Sequence, residues 1–266
     1  MSMLATRAAT LECARVISAR PYENYTIFGN VLTFENPEVL QPNRMYLLAD
    51  RDTGPGVIAT VEDGRRSTEI ALFCRNSRDG RPIFEEAVSL AGSLAAPDLQ
   101  VVTSSEAQER LLDDAGMGFQ KAGTFLVLTL EPSQFKSPRT HERLQAIVSV
   151  GGLPVRHRGT ITRTLVEDGR VVCLGRAEPR GEGLYEICDL FTVPERRGQG
   201  LACSVAAWLC ECVIAKGCIP VYVVSEANSV SRSVAARLGF SDSARFDIHS
   251  LHKCRKPMNE VEMLNA

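Results

Sequence analysis

The sequence contains no apolar run long enough to cross a bilayer and no excess of one charge. A transmembrane helix needs about 20 consecutive apolar residues, and the 266 residues contain no such run. The 30 basic and 32 acidic side chains leave a net charge of −2. A chain without a basic field attracts neither phosphate backbones nor anionic lipid. We therefore expect a soluble globular protein that has neither nucleic acid nor a membrane as a partner.

The first residues also lack the uninterrupted apolar stretch of a secretory signal, because Arg7, Glu12 and Arg15 interrupt it. Arginines outnumber acids in this segment, which leaves a mitochondrial presequence as an alternative. An amphipathic first helix of the mature fold is the favoured interpretation. We expect a cytoplasmic protein.

Cysteine is frequent but does not form the pattern of a disulfide framework. The nine cysteines are an odd number spread along the chain, unlike the even sets of small secreted domains. Cys210, Cys212 and Cys218 could suggest zinc, but residues two apart on a helix point about 200° apart. Cys210 and Cys212 therefore cannot share one ion on an unbroken helix. We predict reduced, buried thiols and no metal site.

A weak internal repeat is visible when the chain is shifted by about 120 residues against itself. The shift aligns Leu72–Cys74 with Leu190–Thr192, Arg78 and Gly80 with Arg196 and Gly198, Ser105–Gln108 with Ser225–Asn228, and Gly118–Phe119 with Gly239–Phe240.

Both halves show the same predicted order of three strands, a helix, a strand, a helix and a strand. The predicted strands are Tyr46–Ala49, Val57–Val61, Glu69–Phe73, Leu99–Thr103 and Thr124–Leu130, then Thr160–Val166, Val171–Gly175, Leu184–Thr192, Val221–Val224 and Phe246–Leu251. The predicted helices are Phe84–Leu94, Glu106–Ala115, Leu201–Lys216 and Asn228–Leu238. Turn and cap signals at Asp168-Gly169, Gly217 and Gly239 mark a hairpin and two helix ends.

These elements predict an α+β fold in which a mixed central sheet is flanked by helices and built from two repeated units. Prolines and serines in Glu131–Thr140 interrupt both periodicities, so the boundary is expected there. We predict one domain over residues 1–135 and a second over residues 136–266. A single large sheet with coincidental spacing is the alternative.

The strongest functional signal is a glycine-rich turn that precedes the helix beginning at Leu201. Gly198 and Gly200 let an anion approach the backbone where a β-carbon would intrude. The first N–H groups of a helix and the positive end of its dipole bind phosphate. Arg196 and Arg197 add positive charge. The turn therefore predicts a phosphate-binding site.

The spacing excludes two common phosphate motifs. A Walker loop needs Gly-Lys followed by Ser or Thr, and a dinucleotide fingerprint needs a third glycine where this chain has Cys203. ATP and NAD are therefore poor candidates. What remains is Arg197-x-x-Gly200-x-Ala202, which resembles the pyrophosphate loop for acyl-CoA of the GNAT acyltransferase superfamily.

The segment after the next strand strengthens this resemblance. Asn228, followed by Ser231 and by the terminal Gly239-Phe240, is similar to the segment that follows the pyrophosphate loop in that superfamily. The resemblance covers about Thr160–Leu251 and extends only weakly into the first half.

The resemblance implies a set of acyl-CoA contacts and the GNAT fold. Strand backbone would pair with the pantetheine arm, the turn and first helical amides would hold the pyrophosphate, and one side-chain amide would bond near the reactive end. In that order the residues are Leu190, Phe191 and Thr192; Arg197, Gly198, Gln199, Gly200, Leu201, Ala202 and Cys203; and Asn228. Asn228 is equally interpretable as a helix N-cap.

The chain departs from the superfamily at the usual proton donor. Many members have a Tyr seven residues after this Asn, as general acid for the leaving thiolate, and here that position is Ala235. Ser231 lies one turn earlier on the same helix face and could orient a water, although a hydroxyl is a weak acid.

An amine that attacks a thioester must be neutral, so a base is expected near the acyl carbonyl. Glu186 and Asp189, on the strand before the turn, are the candidates, and Glu186 is preferred. Alternation places Glu186 with Cys188 and Leu190 on one face and Asp189 on the other. Glu226 and Tyr222 are second-rank alternatives.

The first half lacks the phosphate-binding features. Asp79, Gly80, Arg81 and Pro82 align with the turn, but Pro82 has no N–H and Asp79 would repel an anion. We expect this half to be degenerate and not to bind CoA.

The sequence therefore predicts a cytoplasmic N-acyltransferase with acetyl-CoA as co-substrate. An amine of a small molecule or peptide is the expected acceptor, and it attacks directly in a ternary complex, because no Cys stands with a His for a covalent relay. A CoA-binding sensor or scaffold without turnover is the alternative. The sequence gives no indication of oligomeric state.

Overall fold

The computed structural model describes residues 3–4, 44–49, 57–63, 67–74, 77–94, 98–138, 159–180 and 183–252. The helix predicted near the amino terminus lies outside the described residues. Contacts divide the chain into two units. Unit 1 holds residues 1–13, 43–122 and 247–266, and unit 2 holds residues 14–42 and 123–246. Each unit is described by itself.

Unit 1 is a mixed sheet with two helices. Its strands are β1 (Met3–Leu4), β2 (Arg44–Ala49), β3 (Val57–Asp63), β4 (Ser67–Cys74) and β5 (Asp98–Thr103), and its helices are α1 (Ser77–Ser93) and α2 (Glu106–Ala115). The neighbours β1 to β4 pair antiparallel, and β4 pairs parallel with β5. Residues Asp247–His252 of the last strand, β11 (Ser241–His252), complete this sheet antiparallel to β5.

The core of unit 1 lies between its sheet and its helices. Phe84 and Ala87 of α1 are fully buried with Ile70 of β4 and Leu111 of α2. Ser105 caps α2, because its side chain accepts a hydrogen bond from the Gln108 N–H.

Unit 2 is also a mixed sheet with two helices, and it holds the candidate site. Its strands are β6 (Gln120–Thr129, which begins in unit 1), β7 (Ile161–Glu167), β8 (Arg170–Pro179), β9 (Leu184–Thr192) and β10 (Ile219–Ser225), and its helices are α3 (Leu201–Ala215) and α4 (Ser229–Leu238). The order is β7-β8-β9-β10-β6, in which only β9 and β10 are parallel.

Helix α3 is the centre of the unit 2 core. It is apolar on most of its surface, and Val205, Leu209 and Val213 are buried against the sheet. An apolar helix of this kind belongs in a protein interior. No helix in the described part of the chain is both long and apolar enough to cross a membrane.

The mixed sheet with flanking helices confirms the predicted fold class, and the helix ends and the hairpin follow their signals. Gly217 and Gly239 adopt φ of 71° and 96° after α3 and α4, and Asp168-Gly169 adopt φ of 49° and 75° between β7 and β8. These positive values are what glycine and aspartate tolerate in caps and tight hairpins.

Four predicted elements were several residues too short, and one of them is β6, which begins at Gln120 instead of Thr124. Helix α1 begins at Ser77 and continues through Pro82, which had been aligned with a turn. Strand β8 continues past Gly175 to Pro179, and β11 begins at Ser241. Glycine or proline limited the predictions for α1, β6 and β8 because these residues disfavour regular structure on average, although tertiary packing overrides that preference. The start of β11 was missed because residues 241–245 are mostly polar.

The two units share an order of elements, but the repeat itself stays a prediction. At α2 and α4 the predicted residue pairing is wrong: the N-caps are Ser105 and Asn228, and the C-caps are Gly116 and Gly239. The alignment had instead matched Asn228 with Gln108, a residue inside α2. The contact-based units change over between residues 122 and 123 and give 247–252 to unit 1, whereas the predicted domains met at 135/136.

Candidate functional site

Strands β9 and β10 pair along only part of their length. Their parallel register runs from Ile219 opposite Leu184 to Val221 opposite Glu186, whereas β10 stays paired with β6 as far as Ser225. No further pair joins β9 and β10 in the described chain, so the strands separate beyond Glu186. The later peptide groups of β9 are therefore open on this side to a ligand that adds like a strand.

A β-bulge lies in β9 at the point of separation. Between two register positions β8 has only Gly175, whereas β9 has Asp189 and Leu190. Asp189 has φ of 52°, in the left-handed region. An extra residue of this kind bends a strand and redirects its side chains.

The bulge overturns the predicted alternation along β9. We predicted that Glu186 and Leu190 share a face and that Asp189 lies on the other, and this is wrong. Glu186 is opposite Glu178 across the strand pair, and polar side-chain atoms of Glu178, Cys188 and Asp189 lie within 4.8 Å of one another. Both candidate bases are therefore on one face, because the inserted residue shifts the period by one.

Arginines on β8 and just after it partner these carboxylates. Arg180 Nε donates to Glu186 Oε2 at 2.7 Å, and an Arg180 terminal nitrogen lies 3.7 Å from Glu178 Oε2. Arg176 Nη1 lies 3.3 Å from Asp189 Oδ2. Glu178 and Arg176 are buried, whereas Asp189 is exposed. The face thus presents a half-buried network of alternating charges.

The glycine-rich turn connects β9 to α3 as expected. A 3₁₀ turn spans Pro194–Arg196, and Gly198 and Gly200 adopt φ of 76° and 79°. The first intrahelical bond of α3 runs from Ser204 N–H to the Gly200 carbonyl at 3.0 Å. The N–H groups before Ser204 therefore lack intrahelical acceptors, and no side chain of the described residues caps this end.

The arginines at the turn hold it in place. Arg197 Nε donates to the Thr192 carbonyl at 3.1 Å, and Arg196 pairs with Glu167 at 2.6 Å. A further arginine, Arg237, reaches the same region from α4. Burial raises the pKa of Cys203 in the first turn of α3, and the nearby Arg237 guanidinium opposes that rise. Positive charge therefore surrounds the uncapped helix end.

One cavity of about 750 Å³ joins the separated strands, the turn and α4. Most of the predicted site residues line it: Leu190, Phe191, Thr192, Arg197, Gly198, Gly200, Leu201, Ala202, Cys203, Asn228 and Ser231. Gln199, Glu186 and Asp189 are not in its lining. Phe191 and Val230 are 46% and 75% exposed, which places unshielded apolar surface at this cavity.

The start of α4 combines a cap with two hydroxyl groups. Asn228 Oδ1 accepts from the Ser231 N–H at 3.0 Å, so Asn228 is the N-cap. Tyr222 of β10 is buried and lines the cavity, and the Ser231 side chain lies near the Tyr222 hydroxyl. Ala235, at the position of the usual tyrosine, is buried in the core.

Burial makes Cys173, Cys188 and Cys210 poor nucleophiles. Burial raises the pKa of Cys188, and the charges of Glu178, Glu186 and Asp189 raise it further. Burial likewise raises the pKa of Cys173 and Cys210. Because the thiolate is the reactive form, these cysteines suit packing better than covalent catalysis. Helix α3 is unbroken between Cys210 and Cys212, as the argument against a shared ion required.

The segment of unit 1 that was aligned with the turn has another conformation. Residues 79–82 lie inside α1 and do not form a glycine turn before a helix. Asp79 stands in the first turn of α1, where its negative charge would repel an anion, and Pro82 has no N–H to offer.

The described chain has the fold of the GCN5-related N-acetyltransferases, abbreviated GNAT. It is similar to a GCN5-related N-acetyltransferase from Sphaerobacter thermophilus, with a TM-score of 0.63, 13% identity, and coverage of 94% of this chain and 95% of that one. It is also similar to a GCN5-related N-acetyltransferase from Kribbella flavida, with a TM-score of 0.58, 14% identity, and coverage of 90% of this chain and 95% of that one. A tandem GNAT protein from the clavulanic acid biosynthesis pathway matches with a TM-score of 0.60 and 13% identity, and the match covers 95% of this chain and 98% of that one.

The sequence itself carries a narrower match. Residues 178–246, from the end of β8 into β11, match the family described as FR47-like protein. No curated protein matches the chain. The matched segment contains the bulge, the turn, α3 and α4, so the recognisable part of the sequence coincides with the cavity.

Several lining residues were missing from the predicted set of cofactor contacts, and three of them bear on the site's chemistry. Arg237 and Val230 lie on α4, and Tyr222, a second-rank alternative, lies on β10. The pattern Asn228 to Gly239 marks the helix but does not say which of its turns face the cavity. Their position follows from the packing of α4 against unit 2, which the sequence alone does not specify.

Proposed function

We propose that the chain is an N-acyltransferase that uses acetyl-CoA and transfers the acetyl group to an amine by direct attack in a ternary complex. The observation that carries the proposal is the cavity that joins an uncapped, arginine-flanked helix end to the open edge of β9. One end suits a diphosphate, and the other suits an extended amide chain. Acetyl-CoA, as the co-substrate, supplies the activated acyl group.

Different groups of residues would bind the diphosphate and the pantetheine arm of acetyl-CoA. The N–H groups from Gly198 to Cys203 would hold the diphosphate, since they are amides at a positive helix end. Arg237 would add charge from the opposite wall. The open peptide groups of Leu190–Thr192 would pair with the pantetheine amides, and Asn228 would donate its side-chain N–H near them.

The acidic face of β9 supplies the candidate bases. Glu186 and Asp189 lie together where β9 leaves β10, and either can take a proton from an ammonium acceptor directly or through water. Both carry arginine partners, which hold the carboxylates in place. The raised thiol pKa values support direct attack over a covalent relay.

The remaining parts of the proposal concern the setting of the reaction. The acceptor is an amine of a small molecule or a peptide, and nucleic acid and membrane are not partners. The protein works in the cytoplasm. The domain over residues 1–135 is degenerate and does not bind CoA, which is supported by the negative charge of Asp79 in the first turn of α1 and by Pro82, which lacks an N–H.

Ala202 provides the test of the binding site. It lies in the first turn of α3 and lines the cavity. An acid at a helix N-terminus stabilises the helix, but it would repel a diphosphate held there. Ala202→Glu should therefore retain or raise the free energy of unfolding while lowering acetyl-CoA affinity at least tenfold. Ala202→Gln, of the same size but uncharged, is the matched control and should bind more tightly than Ala202→Glu.

Calorimetric titration with acetyl-CoA measures the affinity, and urea unfolding measures the stability. Equal affinities for Ala202→Glu and Ala202→Gln in folded protein would contradict the assignment of the diphosphate site. Chromatographic detection of free CoA with a panel of amines then tests transfer. Binding without CoA release on any amine would favour the non-catalytic sensor or scaffold.

A further inference from the structure

A thioester that loses its thiolate needs a proton at sulfur. The cavity lining includes a thiol at Cys203 and hydroxyls at Thr192, Tyr222, Ser229, Ser231 and Ser233. A phenol has an ordinary pKa near 10, far below that of an alcohol. Tyr222 is therefore the most acidic of the hydroxyl donors in this lining.

Cys203, the other acidic donor, lies at the end of the cavity proposed for the diphosphate and not at the end proposed for the thioester. It belongs to the first turn of α3, where the diphosphate is proposed to bind. Tyr222 follows Val221, the last β10 residue paired with β9, so it stands where the strands separate. Glu186 lies opposite Val221 at the same point. The strand from Glu186 to Thr192 spans about 20 Å, so Tyr222 lies at the start of this stretch of β9, whereas the turn that leads to Cys203 follows its end.

Tyr222 and the candidate bases lie on opposite faces of the sheet. In parallel pairing Val221 shares the face of Glu186, so the next residue, Tyr222, points to the other face. That face packs on α3 and α4, and Tyr222 belongs to the buried core there. An acyl group placed between the separated strands would have carboxylates on one side and the Tyr222 hydroxyl on the other.

The Tyr222 side chain is fixed by two neighbours. Its ring lies 5.9 Å from the Phe240 ring, centroid to centroid. The Ser231 side chain lines the same cavity near the Tyr222 hydroxyl, and the Ser231 backbone N–H is held at the start of α4 by Asn228. Burial raises the pKa of Tyr222 and the Ser231 bond partly opposes this, so the phenol keeps its proton at neutral pH.

We infer that Tyr222 donates the proton to the departing CoA sulfur and that Ser231 positions the Tyr222 hydroxyl. The inference rests on the proposed function. The amine nitrogen forms a bond to the acyl carbon, and the carbon–sulfur bond breaks with its electron pair on sulfur. The Tyr222 O–H proton moves to that sulfur, the proton lost by the amine goes to the carboxylate face, and water restores the phenol. Tyr222 thus acts as the general acid, a role that Ala235 cannot fill because it has no proton to donate.

Tyr222→Phe removes the hydroxyl and keeps the ring against Phe240. General acid catalysis contributes about 10²- to 10⁴-fold, so kcat should fall by at least about tenfold while calorimetric affinity for acetyl-CoA changes less than about threefold. Tyr185→Phe is the matched control, because Tyr185 lies on β9 outside the cavity lining. Its kcat should equal that of the wild type.

Ser231 requires a test that separates positioning from packing. Ser231→Ala should lower kcat less than Tyr222→Phe does, and Ser231→Thr, which keeps the hydroxyl, should restore it. In the unliganded protein, the ultraviolet absorbance of tyrosinate, taken as wild type minus Tyr222→Phe, should titrate above the ordinary phenol range. In Ser231→Ala this titration should move to still higher pH, because a hydrogen bond that favours tyrosinate is lost.

The outcomes separate this inference from the proposed function. CoA release, with amines or with water as acceptor, is compared between variants that bind acetyl-CoA equally. Release by Tyr222→Phe at the wild-type rate overturns the role of Tyr222 and leaves the acyltransferase standing. Wild-type protein that neither binds acetyl-CoA nor releases CoA overturns the proposed function, and this inference with it. Wild-type protein that binds acetyl-CoA without releasing CoA also overturns the role of Tyr222.

Discussion

Leu190 fills the space beside Gly175 on the neighbouring strand. A β-carbon on Gly175 would lie 2.5 Å from Leu190 Cδ2 and 2.9 Å from Val205 Cγ1 of α3. The glycine therefore lets the bulged residue turn toward α3, where Leu190 packs against the core and lines the cavity. The bulge in β9 and the glycine in β8 form one structural feature.

Gly175→Ala should weaken both stability and acetyl-CoA binding. Overpacking of a core costs about 1–3 kcal/mol, and the displaced Leu190 would distort the open edge of β9. Urea unfolding and calorimetry measure the two effects. Gly92→Ala on α1 is the control, because no atom lies within 4 Å of the added β-carbon. It should leave binding unchanged, and equal effects of the two substitutions would contradict the role of Gly175.

Asn228→Asp should separate the cap from the ligand contact. Aspartate caps a helix as well as asparagine, so the free energy of unfolding should change by less than about 0.5 kcal/mol. Acetyl-CoA affinity should fall, because the side-chain N–H donor is lost and a negative charge is introduced. Calorimetry and urea unfolding provide the measurements.

The N-cap of α2 supplies the comparison for Asn228. Ser105→Ala should cost about 1 kcal/mol of stability with no loss of acetyl-CoA affinity, since Ser105 belongs to unit 1. Unchanged acetyl-CoA affinity in Asn228→Asp would show that Asn228 is a cap alone.

Much of the fold could be predicted because its signals are local. Gly217 and Gly239 end their helices with positive φ, and Asp168-Gly169 turn a hairpin, since few other residues tolerate these conformations. The turn at Gly198 and Gly200 is marked in the same way. Helix α3 was equally clear, because a long apolar run without β-strand alternation lies between the glycine turn and Gly217.

The features that the sequence could not indicate depend on partners distant in the chain. The bulge at Asp189 has no local mark in the sequence. Side chains alternate between faces both before and after it, and only the phase of the alternation shifts by one residue. Its cause is the pairing of β9 with Gly175 on β8. Tyr222 and Ser231 become neighbours through the packing of α4, so neither residue alone suggests their contact.

Gly239→Ala should be among the most destabilising substitutions in unit 2. Gly239 has φ of 96°, and an added β-carbon would lie 2.1 Å from the backbone oxygen of Gln134. Backbone cannot move aside as a flexible side chain can, so we expect a cost of several kcal/mol by urea unfolding. Gly116→Ala at the C-cap of α2 is the control, with φ of 60° and no atom within 4 Å of the β-carbon.

Gly116→Ala separates the cost of positive φ from the cost of the clash between the β-carbon added at Gly239 and the Gln134 backbone. A left-handed conformation costs a residue with a β-carbon about 1–2 kcal/mol, and Gly116→Ala should lose about that much. If Gly239→Ala lowers the free energy of unfolding no more than Gly116→Ala does, then the segment after β6 moves aside and the clash contributes nothing.

Cys210 should make the stability of the protein fall at alkaline pH. Burial in α3 raises the pKa of Cys210 above that of the unfolded chain. A group whose folded pKa is raised contributes stability fully below its unfolded pKa, about 8.5 for a thiol, and loses it as pH rises beyond. Well above pH 8.5 this one thiol should therefore lower the free energy of unfolding by up to about 1.4 kcal/mol per pH unit.

Two substitutions separate this titration from packing. Cys210→Ala and Cys210→Ser both remove the titrating group but leave different side chains in a fully buried position. The buried hydroxyl of Cys210→Ser and the small cavity of Cys210→Ala lower stability by different amounts at neutral pH. Both should show the same reduced slope of unfolding free energy against pH, measured in urea with reductant present. A slope equal to that of the wild type in both variants would show that Cys210 does not titrate differently in the folded protein.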